Sequence, residues 1–113
     1  MPVLATRWGT ELRQQYAVDG WRDIEAVVRA ERVPVVRVDW LHDAYGVPGL
    51  TYDETVLIDS TLPRWRQALT LAHELYHWKF DSPALARLLW GTNDVRVAQM
   101  EARATAFAAA LVW

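Results

Sequence analysis

The chain contains no cysteine. That excludes disulfide staples, a thiolate metal site and a cysteine nucleophile together. No apolar run approaches the roughly 18 to 20 residues that a membrane-spanning helix needs. The opening Met1-Pro2-Val3-Leu4-Ala5-Thr6-Arg7 lacks the pattern of a signal peptide. A cytoplasmic protein without a membrane partner is therefore the expectation. Basic blocks are also missing: arginines are interspersed with acidic residues, the formal net charge is −2 and the pI is about 5.9. Direct nucleic-acid binding is not expected from such a distribution. Repeats, linkers and low-complexity segments are absent, so residues 1–113 read as a single domain.

What is present fits a packed globular fold, with 52% hydrophobic and 23% charged residues. Seven tryptophans are many for this length and are expected in the core or along a groove. Trp8, Leu12 and Tyr16 recur at helical spacing from Thr6 onward. Asp19-Gly20 breaks that helix, and Asp19 is placed to cap a second one running to about Arg32, with Trp21, Ile24, Val27 and Val28 inward. Residues 33–40 are β-branched and read as a strand, Leu41 to Pro48 as a loop, and Gly49–Asp53 and Thr55–Asp59 as two short strands joined at Asp53-Glu54. Thr61 or Ser60 then caps a helix from about Arg64 to Phe80 with Pro63 in its first turn. A short helix from Pro83 to Trp90, stopped by Gly91, and a last helix capped by Asn93 or Asp94 complete an α+β chain whose small sheet is mainly antiparallel.

The helix from Arg64 carries His73-Glu74-Leu75-Tyr76-His77, a His-Glu-x-x-His pattern. At about 100° per residue the two histidines lie one turn apart on one face, so both imidazoles reach one metal ion. Glu74 lies beside that ion, where a general base for a metal-activated water belongs. Two histidines one turn apart also occur as ordinary packed residues, and a third ligand decides between the readings. The last helix offers Glu101, centred among Val97, Ala98, Ala104, Thr105, Ala108 and Val112 on a mostly apolar face. A carboxylate there is expected to be buried, and burial of a carboxylate is costly unless it is paired or bound to metal. The surrounding alanines permit close helix approach, which a short Glu side chain needs. A salt bridge from Glu101 to Arg66, or a helix rotated to expose it, are the alternatives.

Thr70-Leu71-Ala72-His73-Glu74-Leu75-x-His77, followed by Glu101-x-x-Ala104-x-x-Phe107-Ala108-Ala109-x-Leu111, resembles the ImmA/IrrE family of zincin-like metallopeptidases. The preceding Val56-Leu57-Ile58-Asp59 strand, with Arg64 and Arg66, is similar to that family's approach to its active-site helix. The likeness covers roughly Val33 to Leu111. It implies a minimal zincin-like domain in which His73, His77 and Glu101 bind Zn²⁺ (or Mn²⁺) and Glu74 is the catalytic base. It also implies a protein substrate, namely a helix-turn-helix repressor of a phage, mobile element or stress operon. Tyr52, Tyr45, His42 and Arg66 are candidates for a further contact to substrate or transition state. Two departures stand out: Tyr76 occupies a position that is commonly Gly in the family, and the Met-Pro that usually follows the alanine-rich helix is missing. The competing reading is a binding protein on the same fold, anti-repressor or antitoxin-like, that neutralises its partner without cutting it.

Overall fold

The computed structural model describes residues 2–81, 92 and 94–113. Helix α1 spans Val3–Tyr16 and ends in a left-handed Ala17. A 3-10 turn, Trp21–Asp23, leads into α2, Ile24–Ala30. Strand β1, Val35–Val38, follows Pro34 and is built almost wholly of valine, whose β-branched side chain suits a pleated surface. A five-residue helix α3, Leu41–Tyr45, precedes β2, Gly49–Tyr52, and β3, Thr55–Asp59. Helix α4, Arg64–Phe80, carries the His-Glu-x-x-His pattern, and α5, Val95–Val112, runs nearly to the C-terminus.

The sheet has the order β1-β3-β2, with β3 parallel to β1 and antiparallel to β2. It is therefore mixed, not mainly antiparallel. The reason lies in residues 41–45: they form α3 instead of a plain loop, and the segment from β1 through α3 and β2 returns the chain so that β3 enters alongside β1. The β2–β3 connection is a two-residue turn in which Asp53 and Glu54 both have positive φ, 52° and 65°. That is the backbone of a type I′ turn, which matches the twist of the strands it joins. Trp78 Nε1 donates to the Glu54 carbonyl at 2.9 Å and ties the turn to α4.

Helix α4 is central, with β2 and β3 against one side, α5 against another and α2 alongside. Ile24, Val56, Ile58, Leu71, Leu75, Phe107 and Leu111 are buried where these elements meet. Burying each such side chain contributes about 1.5–3 kcal/mol. Helix α1 packs on α5 through Gly9, where a Cβ would lie 2.4 Å from the Phe107 carbonyl oxygen. No larger residue fits that crossing without moving a backbone.

Two expected caps differ and a third is found. Asp19 does not cap α2; its backbone N–H donates to Asp23 Oδ2 at 2.7 Å, at the end of the 3-10 turn. Neither Thr61 nor Ser60 caps α4. Pro63 holds the N-cap position, and Thr61 turns back to the buried Asp59, giving it both its N–H and its hydroxyl. Asp59 also accepts from the His42 backbone N–H at 2.7 Å, so one carboxylate joins the end of β3 to the start of α3. These bonds hold Asp59 below the usual carboxylate range, the Thr61 hydroxyl most of all. Asp94 does cap α5, accepting from Arg96 N at 2.8 Å. The Pro83–Trp90 helix, Gly91 and the alternative cap Asn93 lie outside the described residues.

Candidate metal centre

His73 and His77 project from one face of α4 into a groove of about 640 Å³. Their Nε2 atoms are 3.3 Å apart. Glu101, reaching across from α5, brings Oε2 to 2.8 Å from His73 Nε2 and Oε1 to 2.9 Å from His77 Nε2. Buried Ala104 and Ala108 follow Glu101 on the same stripe of α5, and their small side chains let the two helices approach closely enough for that reach.

Glu101 is not buried, however. Its side chain is 54% exposed, whereas Ala104, Phe107, Ala108, Leu111 and Val112 are covered. Ala98 and Thr105 are exposed as well. Glu101 lies on the stripe that packs inward, but at the end of it, where the groove opens to solvent. The bonds from His73 and then His77 hold its carboxyl well below the usual range. The alternative pairing with Arg66 is not found among the described residues; Arg66 is exposed and lines the groove.

Glu74 is the buried carboxylate, 6% exposed. Thr51 Oγ1, on β2, donates to its Oε1 at 3.0 Å, and Oε2 lies 3.9 Å from His73 Nε2. Burial pushes Glu74 up, against the opposing influence of the two histidines. The position of β2 depends on Gly49, where a Cβ would meet Thr70 Cγ2 at 2.4 Å and Glu74 Cγ at 3.3 Å.

His77 has a second carboxylate behind it. Its Nδ1 is 2.5 Å from Asp81 Oδ2, and both side chains are almost covered. Burial works against the charged imidazole, but the bonds to Asp81 and Glu101 outweigh it and push His77 up to about 10. When neutral, the ring keeps its proton on Nδ1 for Asp81 and aims the Nε2 lone pair at His73 and Glu101.

The donor set fits a divalent ion. Donor atoms of His73, Glu74 and His77 lie within 4.8 Å of one another. Tetrahedral ligands about 2.0–2.1 Å from a zinc ion are about 3.3 Å from each other, which is the spacing of the two Nε2 atoms. Two imidazole nitrogens face each other across that gap with a carboxylate beside them, and such a grouping is stable only with a proton or cation in the middle. A histidine ligand whose other nitrogen donates to a carboxylate is the usual supporting arrangement of such sites.

A sequence model of one family, described as the IrrE N-terminal-like domain of the M78 peptidases, matches residues 23–112. The chain belongs to that family. No curated protein and no solved structure matches. In this IrrE-like domain, His73, Glu74 and His77 of the α4 pattern all line the groove.

Of the four further candidates, Tyr52 and Arg66 line the groove, and Tyr45 and His42 do not. Tyr45 is exposed against Trp40, and the His42 backbone N–H donates to Asp59. Tyr76, the departure at the position commonly Gly, points away from the groove. It is buried against Phe107 and Phe80, with ring centroids at 5.5 and 5.1 Å, and lies 6.5 Å from Trp8. Its bulk fills the α1–α4–α5 junction of this IrrE-like domain and does not line the groove. Two residues of the site were missed in the sequence, Thr51 and Asp81. Asp81 follows His77 by one helical turn, a signal that was readable; Thr51 reaches Glu74 only through the strand packing.

Proposed function

We propose that this domain is a metal-dependent endopeptidase acting on a specific protein partner, with His73, His77 and Glu101 as ligands and Glu74 as general base. The observation that supports this most is the convergence of three donor groups from two helices, with a buried Glu74 alongside that makes no bond to Glu101. A zinc-type ion held there supplies a Lewis acid that polarises a carbonyl and lowers the pKa of water to near 7. The protein's own groups do the remaining work. Thr51 occupies Glu74 Oε1, so Oε2 is the oxygen left to take a proton from attacking water. Burial raises the proton affinity of Glu74, which suits a group that accepts a proton and then passes it to the leaving amine. Asp81 keeps His77 in the tautomer that presents Nε2 to the ion.

Strand β2 is at the sheet edge, and Leu50, Thr51 and Tyr52 line the groove. An extended substrate segment pairing with that edge lies across the histidines. Tyr52 and Arg66 are then the groove side chains placed to contact the substrate. The partner to test first is a helix-turn-helix repressor. Mixing the two proteins with Zn²⁺ or Mn²⁺ is expected to give a discrete cleavage, abolished by chelator and by Glu74→Gln, with binding retained in that variant. If wild type and Glu74→Gln relieve repression equally and no fragment forms, the protein neutralises its partner by binding and the enzymatic reading is wrong.

A further inference from the structure

Four arginines far apart in the sequence, Arg22, Arg29, Arg37 and Arg64, line one pocket of about 710 Å³ formed by the 3-10 turn, α2, β1 and the first turns of α4. One carboxylate shares the lining, Glu25, and it is already bonded to Arg37. Arg37 Nε also donates to Gln67 Oε1, which fixes that guanidinium in place. Arg22 lies over the Trp21 ring at 4.5 Å and is exposed. Among the described residues, neither the Arg29 nor the Arg64 side chain has a hydrogen bond or ion pair, and both are exposed. Helix α4 adds no acidic residue in its first turn. The pocket therefore carries a local excess of positive charge in a chain whose formal net charge is −2. Arginines held this close repel one another, and an oxyanion partner relieves the repulsion while matching their planar donor forks.

The pocket and the groove use opposite sides of the same helix. Arg64, Gln67 and Ala68 face the pocket, whereas Trp65, Arg66 and Leu69 face the groove. At 1.5 Å rise per residue, Arg64 is about 14 Å along α4 from His73. His73 also lies about half a turn round the helix from Arg64, so a segment reaching both sites needs more than the roughly four extended residues that the axial distance alone would take.

From this placement we infer that the arginine pocket is a docking site for an acidic segment of the protein substrate, lying some residues away from the bond held at the histidines. The inference rests on the peptidase reading for its purpose, but the binding event does not depend on the metal site. Carboxylates of Asp and Glu side chains are the groups recognised, and binding weakens with salt as the charges are screened.

The test uses a fluorescein-labelled decapeptide rich in Glu and Asp, followed by anisotropy with the full chain at low and at about 0.15 M salt. The triple variant Arg22→Gln/Arg29→Gln/Arg64→Gln changes only exposed side chains; it is expected to lose at least tenfold in affinity with an unchanged circular dichroism spectrum. The corresponding triple Lys variant retains part of the binding. His77→Ala and Glu74→Gln bind the peptide as wild type does. Equal affinity in wild type and the triple Gln variant overturns the proposal, as does a duplex oligonucleotide that displaces the peptide at lower concentration. Once a cleaved partner is in hand, cleavage at the wild-type rate by the triple Gln variant removes the docking role and leaves the peptidase reading standing. Peptide binding lost in the triple Gln variant, with no partner ever cleaved, has the opposite meaning: the pocket stands and the peptidase reading fails.

Discussion

Replacing Asp81 by Asn tests the support behind the metal centre. The Asp81–His77 bond is 2.5 Å long and its two side chains are 9% and 11% exposed, so little solvent competes for it. A buried hydrogen bond to a charged group is worth about 1.5–3 kcal/mol, and loss of such a support costs about 10- to 100-fold in metal affinity. Asn keeps an acceptor oxygen and loses the charge, so a reduction of about tenfold is expected, with Asp81→Ala nearer the upper end. The pH dependence sharpens the test. In the metal-free protein His77 is pushed up to about 10, above its ordinary value near 6.5. Its contribution to stability is then complete below about 6.5 and is lost as pH rises through about 10. Binding a metal must displace that proton, so affinity climbs by up to about tenfold per pH unit across the same window. Asp81→Asn is expected to lower the affinity and flatten this climb. Competition against a chromophoric zinc chelator at pH 6.5, 7.5 and 8.5 reads both quantities. Wild-type affinity and slope in Asp81→Asn would refute the idea that Asp81 sets the protonation and orientation of His77.

Two substitutions separate the scaffold from the site. Phe107→Ala removes a fully buried ring between α1, α4 and α5 and is expected to cost about 3–5 kcal/mol in urea unfolding; a loss below 1 kcal/mol would mean that the junction repacks freely. Gly49→Ala forces a Cβ into Thr70 and Glu74, at a cost of about 1–3 kcal/mol. It is also expected to reduce cleavage more than zinc affinity, because it displaces the base and spares the ligands; the reverse pattern contradicts the separate roles of Glu74 and Glu101.

The helical period made the centre of the site legible in the sequence. His73, Glu74 and His77 fall within two turns of one helix, and Glu101 lies on the inward stripe of another, so their facing follows from spacing alone. Burial was not legible for Glu101, because it depends on where along α5 the covering elements stop. The same limit concealed Thr51, whose contact with Glu74 requires the register of β2 against β3 and the close approach at Gly49. The parallel pairing of β1 with β3 is not legible for a related reason: strand direction is set by the returning segment, in which residues 41–45 read as loop but form α3. Charge patterning along the chain also concealed one pocket. Arginines that alternate with acidic residues along the chain are gathered by the fold into one pocket, while their sequence neighbours turn elsewhere.

In the proposed site, His73, His77 and Glu101 hold the ion while Glu74 stays free as base. Glu74 is itself near enough to the histidines to compete for that place. Anomalous diffraction from crystals of the zinc-loaded protein distinguishes the two carboxylates directly. One peak per chain is expected within about 2.0–2.2 Å of His73 Nε2, His77 Nε2 and a Glu101 oxygen, with Glu74 still bonded to Thr51 and not touching the ion. A peak ligated by Glu74 with Glu101 turned to solvent, or no peak between the histidines, contradicts this assignment.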